Sequence, residues 1–127
     1  IQVLTSRSAS VPTLIFDEVD VGIGGGVAEI VGRLLRELGG ERQVLCVTHL
    51  PQVAARAEWQ WQVSKATRDG VTLSSIQPLD DERRVCEIAR MLGGVEVTDI
   101  TLAHAGELLH PKGASLGARS TPENVQK

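Results

Sequence analysis

The stretch TLIFDEVDVGIGGG, from Thr13 to Gly26, decides how this chain is read. A short apolar run, Thr13 to Phe16, predicts a buried strand bounded by a turn. It stops at Asp17 and Glu18, with a third acid at Asp20, and then Gly22, Gly24, Gly25 and Gly26 loosen the backbone. Carboxylates at that point have a specific meaning if the strand lies in an open parallel sheet, because ligands sit beyond the carboxyl ends of such strands.

The residues that follow support a parallel arrangement. Val27, Ile30, Val31, Leu34, Leu35 and Leu38 fall at helical spacing, and Gly39 and Gly40 stop the helix. Gln43 to Thr48 reads as a second buried strand, with Val44, Leu45, Cys46 and Val47 in a row. Two continuous apolar strands joined by a helix predict a parallel βαβ unit with a right-handed crossover. The second strand ends on Thr48 and His49. If the two strands are neighbours, Asp17, Glu18 and His49 meet at one crevice. That set suits metal-assisted phosphate chemistry: one carboxylate holds a hydrated Mg²⁺, another orients or deprotonates a water, and the imidazole bonds a phosphoryl oxygen.

Farther along, Pro51 opens a short helix to about Ala57, since proline is suited to a first helical turn. The segment WQWQVSKATRDGVTLSSIQPL alternates in period two on either side of Asp69-Gly70, a strong hairpin signal. Trp59 and Trp61 are expected on one face of that strand, covering the core. Asp80 or Asp81 caps a helix through Leu92, and Thr98 caps a last helix to about Leu109. Arg33, Arg36, Arg83, Arg84 and Arg90 are expected in solvent, and Cys46 and Cys86 as a reduced, buried pair. Ile1 to Ser6 reads as the end of a helix and Ser8 to Pro12 as a linker. From His110 onward the chain is rich in Pro, Gly, Ser and Thr, and residues 110–127 are expected to be a disordered tail.

The 127 residues amount to one domain, and the net charge of −3 argues against a broad nucleic-acid-binding face. No apolar run approaches the roughly 20 residues that span a bilayer. The chain starts mid-pattern without Met, so a piece of a longer protein is expected. Cys46 and His49 have C-x-x-H spacing, but no second pair completes a zinc site. Gly22-x-Gly24 starts a dinucleotide fingerprint, but Val27 stands where its third glycine belongs.

In combination the motifs are more specific than any one of them. LIFDEVD, followed about thirty residues later by VLCVTHLPQVAA, resembles the Walker B strand and switch-histidine loop of ABC-type ATPases, in the SMC-like branch. DEVDVGIGG, VTHLPQVAARA and RVCEIARMLGG, with LAHAGELL in the last helix, resemble the C-terminal end of the RecN family of bacterial DNA repair proteins. The resemblance covers residues 1–109. It implies a P-loop NTPase type of α/β fold, a mainly parallel sheet with a β-hairpin and C-terminal helices. It also implies ATP with Mg²⁺ as cofactors, and a role in recombinational repair of DNA double-strand breaks.

By position, the resemblance makes Asp17 the Walker B aspartate that binds Mg²⁺ through water, Glu18 the residue acting on the attacking water, and His49 the switch histidine that reaches the γ-phosphate. Val19 to Gly26 becomes the D-loop region, which in this superfamily touches the opposite ATPase head. Many SMC proteins carry an aspartate where this chain has Gly24, so the backbone of Gly22, Gly24 and Gly25 is expected to serve in its place. The implied partners are a second head, in a homodimer closed through nucleotide, and DNA through the full-length protein, with no membrane. The implied location is cytoplasmic, on the nucleoid after DNA damage. Neither G-x-x-x-x-G-K-[ST] nor an LSGG-like signature occurs, so the segment by itself is expected to be inactive. Two other readings remain open at this point: the nucleotide-binding domain of another ABC-superfamily ATPase, or a non-catalytic interaction module lacking the P-loop.

Overall fold

A computed structural model describes residues 11–111. The helix end expected over Ile1 to Ser6 and the tail beyond Pro111 lie outside them. Strand β1 (Thr13–Asp17) is followed by helix α1 (Gly25–Gly39), strand β2 (Gln43–Val47) and the short helix α2 (Pro51–Ala54). Strands β3 (Trp61–Arg68) and β4 (Val71–Pro78) come next, then helices α3 (Asp81–Gly93) and α4 (Asp99–Leu109).

The parallel pairing expected of the βαβ unit is present. β1 and β2 pair in parallel, with Phe16 opposite Cys46 and Asp17 opposite Val47. Alternation along a strand sends successive side chains to opposite faces. Leu14, Phe16, Val44 and Cys46 therefore share the face that packs with Ala28, Leu35, Leu38 and Val53 in one core cluster. The other face is bare: Ile15 is 71% exposed and Val47 61%. Val27, Ile30 and Leu34 of α1 are exposed as well, so only part of that helix's apolar surface is used.

A mainly parallel sheet is not what these residues form. They make two separate two-stranded sheets, β1 with β2 and β3 with β4, the second antiparallel. The hairpin turns through Asp69 at φ 53° and Gly70 at φ 76°. Positive φ at both central positions marks a type I′ turn, whose twist matches that of the strands it joins. That local closure satisfies the two strands against each other.

The tryptophan expectation fails. Trp59 precedes β3 instead of lying within it, and Trp59 and Trp61 are 70% and 63% exposed. The hairpin stands over no core; Val63, Leu73 and Ile76 are exposed too. It is fastened at its base, where Gln62 Nε2 donates to Glu87 Oε2 of α3 at 2.6 Å, and Leu79 N donating to Gln60 O at 2.9 Å extends the pairing of its own two strands by one step.

The helix caps are as expected. The Asp80 side chain accepts from Arg83 N, and Thr98 forms a capping box with Thr101. Ile88, Ala89 and Ala105 pack α3 against α4, together with Ala54 and Ala55. Helix α2 thus contributes Val53 to the first cluster and Ala54 to the second. The arginines are less free than expected: Arg84 reaches Ala57 O at 2.7 Å, Arg36 reaches Arg56 O at 2.9 Å, and Arg90 pairs with the buried Glu87. Cys46 and Cys86 are both free thiols, but Cys86 is exposed, so they are not a buried pair.

Close approach of α1 and α2 depends on Gly32. A Cβ there would lie 3.1 Å from both Gln52 O and Val53 Cα, which are backbone atoms and cannot swing aside. Gly32→Ala should therefore destabilise the protein by about 1–3 kcal/mol, as overpacking does. Gly26 has open space around its Cβ position, so Gly26→Ala should stabilise by about 0.4–1 kcal/mol through the unfolded chain. Denaturant titration of the two variants beside the parent protein checks the opposite signs.

Candidate functional site

The register of β1 and β2 sets the site. Asp17 and Val47 are the last residues of the two strands and stand opposite each other. Glu18 therefore leaves one strand where Thr48 and His49 leave the other. Asp17, Glu18 and His49 are all exposed at this edge. Among the described residues, no hydrogen bond or ion pair engages the Asp17 or Glu18 carboxylates.

Glu18 adopts φ 56°, in the left-handed region. That conformation is uncommon for a side chain with a Cβ and is held only where the surroundings over-determine it. Here it turns the chain sharply after the strand, and Val21 N closes the turn on Glu18 O at 3.3 Å. Strict strand alternation would have sent Asp17 and Glu18 to opposite faces; the turn frees Glu18 from it. Gly22 at φ 74° and Gly25 at φ 52° continue the unusual path, and α1 starts at Gly25.

The residue that ties the two loops together is Asp20. Its side chain is 2% exposed, and Oδ2 accepts from Thr48 Oγ1 at 2.5 Å and from His49 N at 2.9 Å. His49 Nδ1 lies 3.1 Å from the same oxygen. Thr48 Oγ1 in turn accepts from Leu50 N at 3.0 Å, just before Pro51 starts α2. Burial alone pushes the Asp20 carboxyl up. The bonds from Thr48, His49 N and its own backbone N–H, with the nearby imidazole, more than offset this and hold it below the ordinary value of 3.8.

Sequence reading placed Asp20 among the glycine-loop residues and Thr48 at the strand edge without giving either a role. The available signal was a third acid three residues after the first, in a turn between two strands whose ends converge. What it lacked was the pairing partner.

The donor set limits which groups the edge can hold. Among the described residues, no group of three His, Cys, Asp or Glu side chains could hold a metal ion. An all-protein metal cage therefore does not fit. A hydrated Mg²⁺ held by one carboxylate and by phosphate oxygens needs no such cage, and the unpaired Asp17 fits that use.

Comparison with known proteins agrees with these motifs. A DNA repair protein RecN from Vibrio cholerae is 55% identical over 109 residues, covering 86% of this chain and 20% of the relative. RecN from Xylella fastidiosa is 58% identical over 100 residues, 79% of this chain and 18% of the relative. The chain is a RecN-like segment. RecN from Bacillus subtilis, at 45% identity over 109 residues, covers 86% of the chain and 19% of the relative. The chain thus spans about a fifth of the length of the RecN proteins it matches. A solved SMC ATPase, described for ATP-driven dimerization and DNA-stimulated activation, aligns with TM-score 0.53 and 24% identity. It covers 68% of this chain and 52% of the other, a likeness of fold alone. No protein-family model matches the chain. Among the described residues, no helix is long and apolar enough to cross a membrane.

Cys46 lies on β2 behind this edge. Burial, with the Asp20 and then the Asp17 carboxylate adding to it, pushes its thiol up to about 11. The thiolate is the reactive form, so at pH 8 Cys46 should resist alkylation by iodoacetamide while the exposed Cys86 is labelled. Peptide mass mapping of the native protein checks this, and Cys46 labelling should rise only as the pH approaches 11 or the protein unfolds.

Proposed function

We propose that residues 1–109 form the closing part of an ATPase head in a RecN-like protein that acts in recombinational repair of DNA double-strand breaks. The observation that carries this reading is the juxtaposition of Asp17-Glu18 and Thr48-His49 at the carboxyl ends of two parallel strands in register. A parallel sheet places ligands at that edge. The relatives named DNA repair protein RecN add the biological context.

In this reading Asp17 would hold a hydrated Mg²⁺, and the ion would supply neutralisation of the phosphate charge of ATP. Glu18, turned out of the strand by its left-handed backbone, orients and deprotonates the attacking water. His49 presents a ring nitrogen to the terminal phosphoryl group. Gly22, Gly24 and Gly25 offer backbone to a second head across the nucleotide, giving a homodimer of heads, while DNA binding belongs to the full-length protein in the cytoplasm, on the nucleoid.

The bare face of the β1–β2 sheet supports a larger parallel sheet of P-loop type. Ile15, Leu45 and Val47 are exposed there, although strands of parallel sheets are ordinarily covered on both faces. Other parts of the longer polypeptide would cover this face and supply the phosphate-binding loop, for which these 127 residues have no motif. The segment alone would then be inactive.

Glu18→Gln in the full-length protein should leave ATP binding nearly intact and slow single-turnover hydrolysis by a factor on the order of 10² to 10⁴, the worth of a positioned base. Asp17→Asn should instead weaken Mg²⁺-dependent nucleotide binding. Near-parental turnover in Glu18→Gln with normal binding would reduce Glu18 to a surface acid and sink the reading.

A further inference from the structure

We infer that Asp20 is a positioning residue for His49: it sets where the switch loop sits and which ring nitrogen of the histidine faces the nucleotide edge. This rests on the reading of Asp17, Glu18 and His49 given above and adds to it a residue with no assigned role.

Three observations converge on Asp20. First, a buried carboxylate is costly unless it is hydrogen-bonded and paired, and every cross-loop donor that satisfies Asp20 Oδ2 belongs to Thr48 or His49. The segment after β1 and the segment after β2 are therefore stable only together. Second, two of the contacts fix the loop itself. Thr48 Oγ1 donates to Asp20 while accepting from Leu50 N, so a relay of two hydrogen bonds runs from the carboxylate to the residue preceding α2. The backbone N–H of His49 supplies the other bond.

The third contact goes beyond holding the loop. The His49 side chain is 73% exposed, so almost nothing packs against it, yet Nδ1 lies 3.1 Å from Asp20 Oδ2. With Nδ1 engaged, Nε2 is left pointing away from the carboxylate. A carboxylate behind an imidazole fixes its orientation and the ring nitrogen that carries the proton, as in hydrolase triads. An exposed ring without that partner would sample several rotamers and spend little time aimed at one atom. Asp20 also lies two residues from Glu18, inside the turn that Val21 N closes on Glu18 O at 3.3 Å. The water-activating group and the histidine thus share one anchored segment.

The test is a double-mutant cycle on the full-length protein with Asp20→Asn, His49→Ala and the double variant, reading kcat, KM for ATP, and thermal stability, with Glu18→Gln measured in parallel. Asparagine keeps the shape and one acceptor oxygen for the loop but removes the charge facing Nδ1. We expect Asp20→Asn to lower kcat on the order of 10²-fold, the scale of a misplaced catalytic group, with KM within about twofold, since the contacted nucleotide is not otherwise altered. We expect the double variant to be no slower than His49→Ala, because Asp20 acts only through the ring. Thr48→Val, which cuts the relay and leaves the carboxylate facing the ring, should lower thermal stability with a smaller effect on kcat. Additive losses in the double variant, or a parental kcat in folded Asp20→Asn, would overturn the inference while a stalled Glu18→Gln left the proposed function standing. If Glu18→Gln turns over normally, the proposed function fails instead.

Discussion

The parallel, in-register pairing of β1 with β2 is the constraint on which the site depends. A one-residue slip would exchange the two faces of the strand that moved, turning Phe16 outward and Ile15 toward α1 if β1 shifted, or Cys46 outward and Leu45 toward α1 if β2 did. The register is fixed by the apolar residues packed under α1, and by the short crossover through that helix. Once it is fixed, both strands end at the same level, and the two following loops have to run side by side. Asp17 opposite Val47 is thus a consequence of core packing, not of any attraction between the functional groups.

The buried carboxylate of Asp20 converts that proximity into a defined arrangement. A pair of exposed loops with only solvent between them would be mobile. Here one oxygen gathers a hydroxyl, a backbone N–H and an imidazole nitrogen from the opposite loop. Its lowered pKa means the charge that makes these bonds strong persists well below neutral pH. The strained backbone of Glu18 sits in the same short turn, and strain of this kind is maintained by surroundings that fix both sides of it.

Away from the edge, the described residues leave apolar surface unburied on the second face of the β1–β2 sheet, along part of α1, and on the hairpin with Trp59, Trp61, Val63 and Ile76, among others. Period-two alternation located the hairpin strands, and Asp69-Gly70 located their turn, because both signals are local. Neither says what the apolar face packs on. The same gap explains the arginines. Helical periodicity puts Arg84 on the polar side of α3, yet its guanidinium reaches back to Ala57 O, and burial lowers its pKa. That contact joins residues far apart in sequence, which a periodicity cannot report.

The amino-acid order settled the elements whose causes are local. These are the strand ending at the acids, the amphipathic α1, the proline-led α2, the Asp-Gly hairpin, and the Asp80 and Thr98 caps, each set by periodicity, turn chemistry or a side chain bonding its own helix end. It also determined the motif spacing that led to Asp17, Glu18 and His49. Tertiary structure alone decided the left-handed turn at Glu18, the exposure of both tryptophans and of Cys86, the closure of the hairpin as a sheet of its own, and the pairing of Asp20 with Thr48 and His49. The physical reason is that a buried charge is stable only beside its partners. Here those partners lie 28 and 29 residues away in sequence, and only folding brings them to one oxygen.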